Sequence, residues 1–458
     1  MSKINKSHKI SKKKLSKSSE YIKDNSDKTI VLNGPINYFK LSNENKQINI
    51  FMDFHAPIHR QRKCEDFESK DVDKYFNKIL SQNTKATDEP LDFFLEINPT
   101  SINFKYKYYT NDNYLVSIRK MFSKLYNEKY ANLNENELPE QKIRLHYMDI
   151  RDYSSFNELK RKLELILSEL ERTKLDNLTL IINELVSIKN ILVFIDSLIR
   201  SIISNDKNPL YEKLSIKKID FVNLKEHTTK TNKIQKDKIQ TDNNDPLSID
   251  MIMDVGLYQI LQKILHNYKD SNNKDNIINL FTEHYIKTSH FLIEKLNKMI
   301  PKITEIDKII DDYIVEEKIT FEEINSHKND GSRDILPYYF YSMDKYKKIW
   351  RTLIDDMEEI NHLIVKMGVI MTDCYFLRRL IDNSKINKSI VYTGAYHSVI
   401  YLWFLVKYCD YNIDDYYYLK NDTTKKQLIN IIKKSDYLDI MQYVIPNKVN
   451  QCIKIKKL

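Results

Sequence analysis

The arrangement of apolar runs constrains this chain more than any other feature. Between residues 29 and 155, short apolar runs alternate with helical stretches. Ile48–Phe54 stops at His55-Ala56-Pro57, Leu91–Ile97 at Asn98-Pro99, and Ile143–Ile150 at Arg151-Asp152. Thr29–Leu32 and Tyr38–Leu41 add two shorter strand candidates on either side of Gly34-Pro35, and residues 70–80 and 113–130 carry the helical spacing between strands. Strand-helix-strand alternation is the pattern of parallel βαβ units. The pattern then changes for some 230 residues. Leucines and isoleucines from Leu163 to Ile202 recur at helical spacing, and helical stretches resume at about 251–266, 276–300 and 339–382. Strand character returns only at Lys388–Thr393, which ends at Gly394 and leads at once into a helix over about 396–408.

These segments predict an α/β fold. A mostly parallel central sheet is built from residues 29–155 and 385–458, and a large all-helical segment, 156–384, is inserted between its halves. That insertion either packs beside the sheet or forms a lobe of its own. Residues 226–246 are polar, without periodicity, and read as a linker; residues 1–28 read as a disordered basic tail.

The charge is unevenly spread. Net charge is +9, yet residues 1–23 hold eight Lys and one Glu, and residues 448–458 hold four Lys. The basic character therefore belongs to the ends and the linker, and the body is mildly acidic. The tail is expected to make weak, non-specific contact with polyanions, or simply to be solvated, because no basic-aromatic groove accompanies it. The four cysteines, at 64, 374, 409 and 452, form no C-x-x-C pair, so neither a disulfide framework nor a zinc knuckle is expected and a reducing compartment is. The strongest apolar run, Val399–Val406, falls short of the roughly 20 residues that span a bilayer. With no apolar signal segment near the start, the expectation is a soluble intracellular protein without a membrane span.

Five glycines, at 34, 256, 331, 368 and 394, exclude the glycine-rich turns that cradle nucleotide phosphates. The G-x-S-x-G elbow and the H-E-x-x-H zinc helix are also missing. What remains is a set of ionisable residues at strand ends, where open α/β sheets bind ligands. Asp53 and His55 follow one strand, Glu96 closes the next, Asp149 and Arg151 follow a third, and Gly394 with His397 follows the last. Two imidazoles and a carboxylate, His55, Glu96 and His397, can hold a divalent metal such as zinc or manganese, or act as a base and its orienting partner. His397 in a first helical turn is expected to be neutral, and Gly394 to serve a positive φ or a close backbone approach. Each residue has a structural alternative: Asp53 and His55 as a turn before Pro57, Glu96 as half of an ion pair with Arg119 or Arg151, Asp149 as a helix cap.

Strand–His, strand–Glu, a long helical insertion and strand–Gly-x-x-His–helix together resemble the TraB/ChaN/erythromycin-esterase-like superfamily. The resemblance places His55, Glu96, Gly394 and His397 in that group's conserved roles. Through the helix Asp373-Cys374-Tyr375-Phe376-Leu377-Arg378-Arg379 it carries over Asp373 and Arg378 as well. It implies metal- or acid/base-assisted hydrolysis. With the other strand-end groups added, the catalytic candidates are His55, Glu96, His397, Asp149 and Arg378, and the binding candidates are Asp53, Arg151, Gly394 and Asp373. The strings Phe51-Met52-Asp53-Phe54-His55, His146–Asp152 and Tyr392–Ser398 are similar to an uncharacterised protein family of giant DNA viruses related to mimivirus, in keeping with 12 Arg against 61 Lys and abundant Asn and Ile. That likeness implies a virion-associated or virus-factory structural or interaction protein, with other viral proteins as partners and the virion or host cytoplasm as its place. Small-ligand binding without turnover is a third expectation.

Overall fold

Alternating burial on each strand divides the interior into two layers. In β3 (Gln47–Asp53), Ile50 and Met52 face one side of the sheet and Phe51 the other; in β5 (Leu91–Leu95), Phe94 opposes Phe93 and Leu95. A strand buried on both faces must be apolar on both, and these runs are. In the computed structural model, which describes residues 29–60, 64–83, 90–96, 113–130, 143–151, 156–171, 178–204, 249–266, 268–316, 344–420, 423–447 and 450–456, they sit at the centre of a six-stranded sheet. Its order is β6-β5-β7-β3-β2-β8, with β2 at Asn37–Ser42, β6 at Ile143–Tyr147, β7 at Lys388–Gly394 and β8 at Asn412–Tyr416. The four strands from β6 to β3 are mutually parallel. β2 runs antiparallel to both β3 and β8, so it alone is reversed.

The expected mixed α/β architecture with a mostly parallel sheet is therefore present, and helix predominates among the described residues. A second sheet of three short strands, β4-β1-β9, joins the two ends of the chain: β1 is Thr29–Asn33, β4 Lys70–Asp71 and β9 Cys452–Lys456. One face of the large sheet is covered by α1 (Val72–Asn83) and α2 (Tyr114–Tyr130), where Phe51, Phe76, Phe93, Phe122 and Tyr392 pack edge to face. The other face carries the long helices: α3 (Phe156–Glu171), α4 (Leu178–Ser204), α5 (Ile249–Leu265), α6 (Ser271–Phe281), α7 (Lys287–Glu316) and α8 (Asp344–Asp382). A π-helical turn, Thr282–Ile286, joins α6 to α7. After β7 come α9 (Ala395–Tyr408), α10 (Lys425–Lys434) and α11 (Tyr437–Val444).

The described helices of the insertion share a core with the sheet. Ile48, Ile50, Met52, Phe94 and Val391 of the sheet belong to the same continuous core as Leu163, Ile188, Leu257, Leu296 and Ile370 of the helices. The last helix of the insertion is pinned at its carboxyl end. Lys46 donates to the carbonyls of Leu380, Ile381 and Asn383 at 2.6, 2.9 and 2.9 Å, while Arg379 donates to His146, which in turn holds Asp92 at 2.6 Å. The tail 1–28 and the linker 226–246 lie outside the described residues.

One expectation is corrected. Cys64 and Cys452, 388 residues apart, form a disulfide with their Cα atoms 5.1 Å apart. Sequence spacing could not show it, because the pairing depends on β9 returning to lie along β1. In the chain-entropy account, closing a loop of that length is worth about 6 kcal/mol. Two helices, Leu178–Ser204 and Arg351–Asp382, are long and apolar enough by composition to cross a bilayer, although no unbroken apolar run announced them. Each places a regular row of side chains in the core, such as Leu185, Ile188, Leu192 and Ile195 in α4.

Gly34, between β1 and β2, shows what the junction of the two sheets requires. Its φ is +124°, and a Cβ there would lie 2.8 Å from Tyr114 Cδ2 and 2.9 Å from Val72 Cγ1. Gly34→Ala is expected to lower unfolding stability by about 2–4 kcal/mol, from backbone strain and overpacking together. A urea titration would read this as a lower midpoint at unchanged slope.

Candidate functional site

Parallel register brings the strand ends together. Asp53 pairs with Gly394 across β3 and β7, and Leu95 with Tyr392 across β5 and β7. Glu96 continues that ladder by donating its amide to the Tyr392 carbonyl at 3.2 Å, and Met148 does the same to Leu95 at 3.1 Å. The carboxyl edges of β6, β5, β7 and β3 therefore align, and the groups that follow them share one place.

Glu96 occupies the centre and is 8% exposed. Its Oε2 accepts from the Gly394 amide at 2.6 Å and the Thr393 hydroxyl at 2.7 Å. Gly394 is the N-cap of α9, so the carboxylate sits at a helix amino terminus, where the unsatisfied amides favour an anion. His55 Nε2 lies 3.3 Å from Oε2, and His397 Nε2 lies 3.2 Å from Oε1. Each imidazole is backed at Nδ1 by its own aspartate: His55 by Asp53 at 2.7 Å, His397 by Asp373 at 2.6 Å. The result is a five-membered chain, Asp53–His55–Glu96–His397–Asp373, drawn from β3, the edge of β5, α9 and α8.

The turn that delivers His55 is made by the same aspartate. Asp53 Oδ2 accepts the His55 amide at 3.0 Å as well as its ring, and this holds His55 at φ +54°, a region non-glycine residues seldom occupy. The His55 side chain is about one-third exposed (34%), while those of His397 and Glu96 are nearly closed off. Access to the chain of charges is thus through His55, with Phe54 exposed beside it.

Electrostatics follow from this packing. Burial alone would raise Glu96 and lower both histidines. The two imidazoles outweigh it and hold Glu96 well below the usual carboxylate range. Burial would likewise depress His55, but hydrogen bonds to Asp53 and Glu96 raise it to about 10. His397 is raised well above its ordinary value because Asp373 and Glu96 overcome its burial. The expectation of a neutral His397 at a helix amino terminus is therefore corrected: two adjacent carboxylates outweigh the helix dipole. Asp373 is raised, chiefly by burial.

The other candidates sit around this chain. Asp149 grips Arg151 through Nε and Nη2, both at 2.8 Å, and Arg151 Nη2 reaches to 3.6 Å from Glu96 Oε1. Arg151 rather than Arg119 is thus the arginine beside Glu96, and Asp149 acts on the site by orienting it. Arg378 turns to the helical layer, with its guanidinium over the Tyr268 ring. Gly394 has φ −58°, so its role is close approach and not a positive φ: a Cβ would stand 2.8 Å from His55 Nε2 and 3.3 Å from Glu96 Oε2. Thr393 was not singled out from the sequence, although a hydroxyl just ahead of a strand-end glycine and helix was its signal. Tyr401, one turn after His397, was also missed; it is buried beside Asp373, outside ordinary hydrogen-bond geometry.

Two imidazoles facing a carboxylate, with their Nδ1 atoms held by aspartates, are the donor types that zinc takes. Among the described residues, however, no group of three or more His, Cys, Asp or Glu side chains is arranged to hold a metal ion. Each Nε2 is engaged by Glu96 itself, so no step below is routed through a metal.

Residues 30–458 match the model of a family of unknown function (DUF5847). The chain belongs to that family. It is 28% identical over 442 residues to Uncharacterized protein R706 of Acanthamoeba polyphaga mimivirus, covering 92% of this chain and 94% of that one. It is 26% identical over 422 residues to Uncharacterized protein R161 of the same virus, covering 84% and 88%. No solved structure matches. The expected kinship with a mimivirus protein family is thus present, while neither the family nor these relatives lends support to the TraB/ChaN-type resemblance.

Two outcomes follow from the geometry. The Gly394→Ala backbone is allowed, but its methyl displaces the mobile end of His55. The His55 titration, read by NMR, is expected to fall from about 10 toward its ordinary 6.5 with the fold retained. Because the folded state holds the His55 proton more tightly than the unfolded state, this stabilisation is complete below about pH 6.5 and disappears as pH rises through about 10. Thermal unfolding across that window should slope downward for the native chain and more shallowly for His55→Asn.

Proposed function

We propose that this chain is a hydrolase acting on an ester or peptide-like bond by acid/base chemistry at the Asp53–His55–Glu96–His397–Asp373 chain. The observation that carries the reading is the exposed end of that chain. A protonated imidazole, fixed at Nδ1 by Asp53 and held in a strained turn, faces solvent with its long 3.3 Å contact to Glu96 as the one to exchange.

A substrate carbonyl entering beside His55 would take the Nε2–H in place of Glu96. Water adds to the carbonyl carbon while the imidazolium hydrogen-bonds the developing oxyanion, and as the bond to the leaving group breaks Nε2 gives its proton to that group. The proton lost by the added water then passes to the neutral Nε2, which restores the starting state and leaves the acid product. Asp53 keeps the ring in one orientation throughout. Glu96, fixed by Gly394 and Thr393, preserves the negative field that favours return of the proton, and His397 with Asp373 balances Glu96 from the closed side. Arg151, clamped by Asp149, adds a positive charge at the mouth.

A panel of esters and peptide-like substrates, with metal content measured on the same sample, tests this. His55→Ala should lower kcat/KM by at least about 100-fold, the usual size of a lost acid/base group. Activity should fall above about pH 10 as His55 deprotonates. A well-folded sample with no turnover across the panel would overturn the reading, and an absorbance titration would then examine small-ligand binding without turnover.

A second reading rests on the mimivirus source of the relatives. It is that of a virion-associated or virus-factory structural or interaction protein, found in the virion or host cytoplasm, with other viral proteins as partners and weak polyanion contact through residues 1–23. Its absence from the proteome of purified particles would remove the virion role, and a tail deletion that leaves polyanion binding and its salt dependence unchanged would remove the contact.

A further inference from the structure

Each aspartate of the chain has an oxygen left over. Asp53 gives Oδ2 to His55, and Asp373 gives Oδ1 to His397. The other two oxygens, Asp53 Oδ1 and Asp373 Oδ2, are buried and meet no donor in ordinary hydrogen-bond geometry among the described residues. Two buried hydroxyls, those of Tyr392 and Tyr401, are in the same condition. An unpaired buried oxygen or hydroxyl costs free energy, so such groups are expected to find partners.

Topology sets them side by side in pairs. Tyr392 lies across from Phe51 in β3, and both belong to the core layer under α1 and α2. Asp53 is two residues beyond Phe51 and therefore on the same face of the sheet. Its neighbour in β7 is Gly394, which has no side chain, and the Tyr392 hydroxyl stands beside the Asp53 carboxylate. At the closed end, Tyr401 follows His397 by one helical turn, with the two rings stacked at 6.3 Å. The Tyr401 ring also packs at 4.3 Å on Phe376 of α8, one turn after Asp373, and its hydroxyl stands beside that carboxylate. Burial, and then the neighbouring aspartate, pushes both hydroxyls well above their ordinary value, so each keeps its proton to donate.

We propose that Tyr392 and Tyr401 are positioning residues that complete the chain at its two ends, each donating its hydroxyl to the outer oxygen of its aspartate. The donation matters most at the open end. While His55 is charged, Asp53 is balanced. Once Nε2 has given its proton away, Asp53 faces a neutral ring, and the Tyr392 hydroxyl is the donor that steadies it. Tyr392 therefore favours release of the His55 proton, and no proton leaves the phenol. At the closed end, Tyr401 opposes the burial that raises Asp373 and keeps it ionised against His397. The bearing on turnover rests on His55 being the acid of the proposed reaction; the contacts themselves do not.

The experiment compares the full chain with Tyr392→Phe and Tyr401→Phe, each of which loses one oxygen, by NMR. Tyr392→Phe should make His55 hold its proton roughly threefold or more tighter, so that its titration moves above about 10. Tyr401→Phe should leave that titration nearly in place and move the His397 Nδ1 proton to lower field, as Asp373 becomes more basic. Both variants should unfold at a lower urea concentration than the native chain. A His55 titration that stays or falls in Tyr392→Phe, or an unmoved His397 signal in Tyr401→Phe, would overturn the proposal. So would a variant more stable than the native chain, because a hydroxyl with no partner is better removed. The two variants are independent, so one that fails to fold leaves the other to decide. Where the substrate panel shows turnover, Tyr392→Phe should lower kcat at unchanged KM and shift the alkaline fall to higher pH; an unchanged kcat would overturn its role at His55. A silent panel would sink the hydrolase reading alone, since the NMR outcomes need no turnover.

Discussion

Taking a carboxylate out of water costs several kcal/mol unless charge and hydrogen bonds replace the lost solvent. Glu96 is such a carboxylate, and much of the architecture can be read as its compensation. Parallel pairing of β5 with β7 sets it opposite Thr393 and Gly394, whose hydroxyl and amide it accepts. The tight turn into α9 supplies the helix terminus. The two imidazoles supply positive charge, but charging them requires anions in turn, and Asp53 and Asp373 provide these from β3 and α8. Removing one member leaves an uncompensated buried charge on its neighbour, so the five groups act as a unit.

This explains why a helix 39 residues long, at the end of an insertion, matters to the sheet edge. Asp373 must reach His397, so α8 cannot slide. Its carboxyl end is fixed by Lys46, which caps three carbonyls, and by Arg379 acting through His146 on Asp92. Burial lowers Lys46 to about 8, a sign of how far inside this cap lies. The helical layer is therefore part of the site's frame and shares its core with the sheet, instead of hanging from it.

The sequence made the strand ends legible because an apolar run halted by an ionisable residue and a turn is a local signal. Asp53, His55, Glu96, Gly394 and His397 could all be found that way. Their convergence could not, because it depends on strand order: β7 lies between β5 and β3, although nearly 300 residues separate it from β5 along the chain. Asp373 was reachable only through resemblance, since an aspartate within an apolar helix has no local mark of its partner. Charge states were misjudged for a similar reason. His397 at a helix start is expected to be neutral until the carboxylates of two distant elements are placed beside it. The Cys64–Cys452 pair is the extreme case, with 388 residues between its partners and no spacing pattern to betray it.

The asymmetry of the five-group chain is the physical support for the proposed chemistry. A purely structural ion cluster gains from closing both ends equally. Here the His397–Asp373 end is sealed under α8 and α9, while the His55 end is left a third exposed, on a left-handed residue whose turn Asp53 holds. Tolerating a strained backbone at the single exposed imidazole runs against stability, and such strain persists where the surrounding structure over-determines it for a use. In the proposed reaction the closed end serves as an electrostatic anchor, and the open end is where a substrate or water replaces Glu96 at Nε2.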